Sequence, residues 1–148
     1  MLIFTLDQQR YALRLEHVER VVRAAAVTPL PRAPEPVLGI LDLQGRVLPV
    51  IDLRLRFGLP TRALRCSDQF VIARAGALSV VLAVDGTESV HEAASQEVVA
   101  PADIVAGTEF LEGVTRTGDG LVLIHDLGTL LFPDEERALV EALAAREP

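Results

Sequence analysis

A repeat at half the length of the chain constrains the fold more than any other feature. Residues Gly39–Leu53 read Gly-Ile-Leu-Asp-Leu-Gln-Gly-Arg-Val-Leu-Pro-Val-Ile-Asp-Leu, and Gly113–Leu127 read Gly-Val-Thr-Arg-Thr-Gly-Asp-Gly-Leu-Val-Leu-Ile-His-Asp-Leu. Both segments open on glycine, pass through a polar turn and close on an apolar run followed by Asp-Leu. Each pattern predicts a β-hairpin. The shared offset of 74 residues in a chain of 148 therefore predicts two related β units.

The residues that mark the repeat have structural explanations. Gly39 and Gly113 stand inside strands, where glycine permits a bulge or the close approach of another chain. Gly45 lies in the first hairpin turn and serves backbone geometry. Asp52 and Asp126 each follow an apolar strand, and we predict that both cap a short helical turn. Capping explains the two carboxylates better than a catalytic pair does.

Strand patterns dominate the rest of the chain. Leu2–Leu6 and Tyr11–Leu15 flank a polar turn and predict a first hairpin, and Gln69–Ala75 with Leu78–Val84 predict a later one. A proline followed by three acids predicts the start of a C-terminal helix over about residues 134–146. We therefore expect a fold that is all-β with minor helices.

The organisation is expected to be a single domain, 1–148, made of two subdomains. Subdomain one is expected at about 11–65 and subdomain two at about 69–131, because residues 61–68 are polar and irregular and read as the crossing between them. We expect the N-terminal strand to be shared with the sheet of the second subdomain.

Composition indicates a protein of the cytoplasm. Half of the residues are hydrophobic but only 4% are aromatic, so aliphatic side chains must fill the core. No apolar run approaches the roughly 20 residues that span a bilayer, so no membrane insertion is expected. The N-terminus has no basic leader. The single cysteine, Cys66, cannot form an internal disulfide, which suits a reducing compartment.

Charge is distributed unevenly along the chain. Lysine is absent, and residues 1–75 carry a net charge of +4 while residues 76–148 carry −11. Faces of opposite sign would favour the orientation and rate of association with protein partners, although solvated surface charge is an equal alternative. Nucleic acid is not expected as a partner, because basic residues are not clustered with aromatics and the total charge is −7.

The sequence offers few candidates for catalytic or metal-binding residues. His17, His91 and His125 lie far apart without ligand spacing, and Cys66 has no cysteine partner, so no metal or cofactor is expected. His125 sits on an apolar strand and is better explained as a satisfied strand residue than as a base. No nucleophile elbow, phosphate-binding loop or dinucleotide fingerprint occurs. The chain is therefore expected to bind partners and not to be an enzyme.

Several segments resemble one protein family. They are Tyr11-Ala-Leu-x-Leu-x-x-Val18, the proline loop after it, the block Val37-Leu-Gly-Ile-Leu-Asp-Leu-Gln-Gly-Arg-Val-Leu-Pro-Val-Ile-Asp-Leu-Arg54, then Val81–Val90 and Leu121–Leu131. Together they are similar to the CheW-like adaptors of bacterial chemosensory arrays. The block ending at Arg54 is the most specific of these pieces, and the resemblance runs from about Leu2 to Leu131.

The resemblance implies a fold and a function. It implies two pseudo-symmetric five-stranded SH3-like β-barrels with a C-terminal helix. It implies a non-catalytic scaffold that couples the cytoplasmic tip of a methyl-accepting chemotaxis receptor to the regulatory domain of a CheA-type histidine kinase. Two alternatives stay open: a CheW-like accessory that binds only one of these partners and tunes array assembly, and a small-ligand sensor or enzyme.

The resemblance also implies a receptor-binding surface, made of Val18, Arg20, Gly39, Asp42, Gln44 and Val47. This sequence departs from the family there. Where the family has an opposed Glu and Arg, this chain has Arg20 and the neutral Gln44. Glu19 could stand for the family's Glu if the alignment slips by one residue, but regular alternation of side chains along a strand argues against a slip. Arg46 could supply the missing cation from the turn.

Overall fold

The computed structural model describes residues 1–90, 110–118 and 120–146, which form ten strands and two α-helices. The strands are β1 (Leu2–Leu6), β2 (Gln9–Leu13), β3 (Val18–Arg23), β4 (Val37–Leu43), β5 (Arg46–Ile51), β6 (Gln69–Ala75), β7 (Leu78–Val84), β8 (Gly86–Val90), β9 (Leu111–Thr117) and β10 (Gly120–His125). The helices are α1 (Leu53–Arg56) and α2 (Pro133–Ala145), with 3₁₀ turns at Leu15–His17 and Leu127–Thr129. The expected all-β fold with a C-terminal helix is confirmed.

The strands form two five-stranded sheets. The first sheet has the order β3-β6-β7-β5-β4, and the second has the order β8-β1-β2-β10-β9. In each sheet the third and fourth strands pair in parallel, β7 with β5 and β2 with β10, while the other pairs are antiparallel. The two sheets thus have the same architecture.

Residues that repeat in the sequence also pair in the same way in the two sheets. In the first sheet Gly39 pairs with Val50, and in the second Gly113 pairs with Ile124, 74 residues further on in both strands. The pairing irregularity next to Gly39 recurs next to Gly113. Residues that share an offset in sequence therefore occupy equivalent places in the two hairpins, as the repeat predicted.

Sheet membership differs from the expected subdomain boundaries. The hairpin β6–β7, placed by sequence in the unit beginning at residue 69, pairs with β3 and β5 of the first sheet. Both N-terminal strands, β1 and β2, belong to the second sheet. Each sheet needs a second hairpin beside its repeated one, and the second sheet obtains this hairpin from the N-terminus of the chain. Linear order alone cannot reveal that exchange.

A backbone bridge closes the first sheet. Thr28, in the segment after the edge strand β3, exchanges two backbone hydrogen bonds of 2.9 and 2.7 Å with Ile40 on the other edge strand, β4. Gly39 lies directly under this bridge: a Cβ atom there would stand 2.3 Å from the Thr28 carbonyl oxygen. Gly39 is therefore required for closure, and the segment that approaches it closely is the chain's own Val27–Thr28, not the other chain expected from sequence.

The core is a layer shared by the two sheets. Successive residues on the central strands point to opposite faces, and both faces are buried: Phe70 and Ile72 of β6 point into the first sheet's own cluster, while Val71 and Ala73 join the shared layer. On β1 of the second sheet, Phe4 and its alternate neighbours face the same shared layer. The two sheets therefore fold as one unit.

The C-terminal helix α2 seals this layer. Its Leu139 and Ala142 are buried in the shared core. At the start of the helix, Glu135 accepts a hydrogen bond of 2.8 Å from the Phe132 N–H and also binds the Arg56 guanidinium at 2.6 Å. Arg56 in turn lies over the Phe132 ring. These contacts attach α2 to α1 of the first sheet.

Replacing Gly39 by alanine should destabilise the fold. The added methyl group would collide with the backbone at Thr28, and overpacking of this kind costs about 1–3 kcal/mol. Urea unfolding of Gly39→Ala should show a lower midpoint than the parent protein. Gly118→Ala is the matched control, because a Cβ atom there meets nothing within 4 Å. Equal midpoints for the two variants would contradict the closure role of Gly39.

Candidate functional site

The candidate site is built on the β4–β5 hairpin. Both central residues of its turn have positive φ, 54° for Gln44 and 89° for Gly45, as a type I′ turn requires. The Asp42 carboxylate accepts a hydrogen bond of 2.9 Å from the Gly45 N–H and fixes the turn. The side chains of Asp42 and Gln44 are exposed at this tip, and Val47, which pairs with Asp42, is half-buried beside them.

A bulge in β3 changes which face the residues of this strand occupy. Val18 pairs with Ala73 and Arg20 pairs with Ile72, so Glu19 is an extra residue between two regular pairs. Unbroken alternation along this strand would exclude a one-residue slip. The bulge breaks that alternation, so a slip is compatible with the observed register, and the Glu19 side chain reaches Arg46.

Glu19 and Arg46 form an ion pair across the end of the first sheet. The Arg46 guanidinium lies 3.0 Å from the Glu19 carboxylate, and the Ser79 hydroxyl donates to the same carboxylate at 3.2 Å. The hydrogen bond from Arg46 lowers the pKa of Glu19 further than partial burial raises it. This contact joins β3, β5 and β7. Ser79 carried no signal in the sequence, because a serine in an apolar strand has no distinctive spacing.

Arg20 has a different environment. Its side chain is exposed, and within residues 1–90, 110–118 and 120–146 it makes no hydrogen bond or ion pair. Val18, two residues earlier, packs its partly buried side chain against the shared core. Glu19 and Arg46 thus form an acid–cation pair beside the two positions that depart from the family, while the Arg20 side chain is unpaired within the described residues.

Gly39 does not contribute surface to the site. It is buried, and the space above it is filled by the chain's own Val27–Thr28 segment. The structure places Asp42, Gln44 and Val47 on the β4–β5 hairpin and the exposed Arg20 on β3, whereas Val18 packs against the shared core. The Glu19–Arg46 ion pair links β3 to this hairpin.

The predicted caps are in place. The Asp52 carboxylate accepts hydrogen bonds from the N–H groups of Arg54 and Leu55 at the start of α1. The Asp126 carboxylate accepts from the Gly128 N–H, 2.9 Å away, at the start of a 3₁₀ turn. Their backbone N–H groups also bind equivalent carbonyls, those of Pro36 and Phe110. The two carboxylates serve equivalent turns in the two sheets.

A second cluster of charges lies where the chain crosses between the sheets. Asp85 is the single residue between β7 and β8, and Arg54 and Arg62 both bind its carboxylate at 2.7 Å. Asp85 also accepts a hydrogen bond from the Asp7 N–H in the β1–β2 turn, and Arg62 binds the buried Asp68 at 2.8 Å. No local sequence pattern marks this network, because its members are far apart in the chain.

The network keeps its acids ionised. Burial pushes the pKa of Asp85 upward, but hydrogen bonds from Arg54 and the Asp7 N–H and the charge of Arg62 outweigh it and hold the pKa below its ordinary value. The hydrogen bond from Arg62 likewise lowers the pKa of Asp68 against the effect of burial. The network therefore fixes the junction of the two sheets at neutral pH.

The described histidines, His17 and His125, belong to no metal centre among the residues that the structure describes. In the part of the chain that the structure describes, no three His, Cys, Asp or Glu side chains are grouped to hold a metal ion. His125 is buried against Phe57, its Nδ1 lies 2.8 Å from the Phe110 carbonyl oxygen, and burial lowers its pKa to about 4. It is a neutral core residue at pH 7. His91 lies outside the described residues.

Comparison with known proteins defines the class. A crystal structure of the scaffolding protein TtCheW from Thermoanaerobacter tengcongensis superposes with a TM-score of 0.82 and 29% sequence identity, over 90% of this chain and 92% of that one. The paired-sheet architecture is therefore that of a CheW-type scaffold. None of the described helices has the length and apolar character needed to cross a membrane.

The family follows from the sequence comparisons. The chemotaxis protein CheW of Treponema pallidum is 27% identical over 94% of this chain and 85% of its own length, and that of Klebsiella aerogenes is 27% identical over 97% and 87%. The family described as CheW-like domain matches residues 1–133. The chain belongs to the CheW-like family.

Removing the Asp85 carboxylate should weaken the junction of the sheets. Asp85→Asn leaves Arg54 and Arg62 without their shared partner, and losing one member of a partly buried ion pair costs about 1–3 kcal/mol. In thermal unfolding at pH 7, Asp85→Asn should have a lower Tm than the parent protein. The control variant Glu141→Gln, on the exposed face of α2, should have the same Tm as the parent protein.

The same variant has a pH signature. Because the pKa of Asp85 is lower in the folded protein than its ordinary value of 3.8, its stabilisation is complete above that value and is lost as the pH falls through the folded pKa. The Tm difference between the parent protein and Asp85→Asn should therefore shrink below about pH 4. A difference that stays constant down to pH 2 would show that the carboxylate's charge is not responsible.

Proposed function

We propose that this protein is a non-catalytic scaffold that couples the cytoplasmic tip of a chemoreceptor to the regulatory domain of a CheA-type histidine kinase. The observation that carries the proposal is the match of the paired-sheet fold, over 90% of the chain, to a scaffolding protein of the CheW-like family. In this role the chain acts by binding alone, in the cytoplasm, as a component of a receptor array.

The receptor-facing surface in this proposal lies on the first sheet. Val18 and Val47 supply partly buried apolar contacts, and Asp42 and Gln44 supply polar contacts at the tip of the hairpin. A helical receptor tip presents apolar anchors at i, i+3 and i+4 to such a surface. Arg20, exposed and unpaired among the described residues, would select a tip with an acidic residue facing it, because an unpaired like charge there is costly.

The kinase-facing surface is proposed to be apolar. A large exposed apolar side chain outside the receptor-facing surface is a candidate for contact with the kinase. Leu121, on β10 of the second sheet, is such a side chain and is 50% exposed. It lies 74 residues after Val47, so the two sheets present equivalent positions to two different partners. One pseudo-symmetric chain could in this way serve two partners with related surfaces.

The coupling role is tested by binding both partners together. The purified protein should form a ternary complex with a kinase regulatory domain and a chemoreceptor signalling hairpin from the same organism, detected by size-exclusion chromatography with light scattering. Binding to only one of the two would favour the accessory role. Binding to neither, together with a rise in Tm caused by a small metabolite, would favour a ligand sensor.

Exchanging the side chains at the two divergent positions for those usual in the family should change receptor preference. Arg20→Glu combined with Gln44→Arg gives the side chains usual in the family. The double variant should gain affinity for the tip of a receptor served by a conventional CheW and lose affinity for its own receptor, each by about three- to tenfold, since exposed pairs contribute little. Titration calorimetry measures both changes. Unchanged affinity for both tips would show that these positions do not set specificity.

A further inference from the structure

A groove of about 620 Å³ separates the proline loop from the end of the C-terminal helix. Its floor is apolar, with Leu30 and Ala142 buried and Ile40 partly buried. The residues that line it include Leu30, Arg32, Ile40, Ala142, Ala145 and Arg146. The groove is large enough for several side chains of a partner and is open to the surface.

The rim of the groove is positively charged. Arg32 and Arg146 are both exposed, and among the described lining residues there is no acidic side chain. Neither arginine forms an ion pair within the part of the chain that the structure describes. An occupant of this groove therefore gains by combining apolar side chains with a carboxylate.

Arg32 holds a position that its backbone does not favour. The Ala33 N–H binds the Leu30 carbonyl oxygen at 3.3 Å, which closes a turn with Pro31 second and Arg32 third. Arg32 has a φ of 66°, in the left-handed region. Glycine or asparagine is preferred at the third position of such a turn. Arg32 therefore occupies a position at the rim where glycine would be more stable, which indicates that its charge has a functional role.

The groove is continuous with the proposed receptor-facing surface. Ile40 lies two residues before Asp42 on the same face of β4, and two residues along a strand span about 7 Å. Pro49 and Val47, their partners on β5, extend the same face. A helix that contacts Asp42 and Val47 can reach the groove with a side chain one or two turns away.

We propose that this groove is a second contact site for the receptor tip. An acidic amphipathic helix of the receptor places an apolar anchor over Leu30, Ile40 and Ala142, and a neighbouring carboxylate pairs with Arg32 and Arg146. The inference rests on the proposed coupling function and extends it, since it assigns receptor recognition to the C-terminal helix and the proline loop as well as to the β4–β5 hairpin.

Filling the groove tests this site. Ala145 is exposed and lines the groove, while Ala144 is exposed beside it and does not. Ala145→Trp should weaken binding of the receptor signalling hairpin at least tenfold, and Ala144→Trp should leave it unchanged. Both variants should bind the kinase regulatory domain as the parent protein does, measured by biolayer interferometry with each partner immobilised.

Arg32→Gly separates binding from folding. Glycine relieves the positive φ, so the Tm should stay equal or rise by about 2–4 °C. The receptor affinity should nevertheless fall several-fold, and its dependence on salt should weaken. Arg137→Gln is the control, because it removes one positive charge from the exposed face of α2, outside the groove. It should change neither the receptor affinity nor the dependence of that affinity on salt.

The outcomes distinguish this proposal from the coupling function. If the parent protein binds no receptor hairpin, the coupling function fails and the groove proposal fails with it. If the parent protein binds the hairpin and Ala145→Trp binds it equally well, only the groove proposal is overturned. It is also overturned if Ala145→Trp changes self-association by sedimentation and leaves receptor affinity unaltered, because the groove would then hold a second copy of this chain.

Discussion

The apolar layer between the two sheets is the interaction on which the rest of the structure depends. Val71 and Ala73 of β6 face Phe4 and its neighbours of β1 across this layer, and α2 closes it with Leu139. Apolar surface removed from water stabilises a fold by about 25 cal/mol for each Å², so burial of these side chains stabilises both sheets together. It also explains the composition, because most of the side chains buried in this layer are aliphatic, beside the aromatic rings of Phe4 and Tyr11.

The shared layer explains why the charged junction lies where it does. The chain passes from one sheet to the other at Asp85, which is the single residue between β7 and β8. A connection this short leaves the Asp85 carboxylate partly buried, and a buried charge must be paired. Arg54 from α1 and Arg62 from the segment between α1 and β6 supply the pairing. The Asp7 N–H in the β1–β2 turn adds a contact from the second sheet.

The candidate site is a consequence of closing the first sheet. The bridge between Thr28 and Ile40 requires Gly39 beneath it, and the same loop then continues into the proline turn that carries Arg32. The bulge at Glu19 lets an acid of β3 reach Arg46, which leaves Arg20 exposed. The hairpin tip, Arg20 and the groove that Arg32 lines are thus arranged around one closed sheet, and both arginines are exposed.

The sequence by itself determined the hairpins, their glycines and their caps, because each is a local pattern: Asp52 and Asp126 cap the turns next to them, and the 74-residue offset reappears as register. It also carried the family resemblance, since that rests on the Gly39–Arg54 block. Only the tertiary structure decided which hairpin belongs to which sheet, that Glu19 and not Arg20 pairs with Arg46, and that Arg54, Arg62 and Asp85 meet. Those outcomes depend on residues distant in the chain and on one extra residue in β3, and neither long-range pairing nor a bulge leaves a mark in local periodicity.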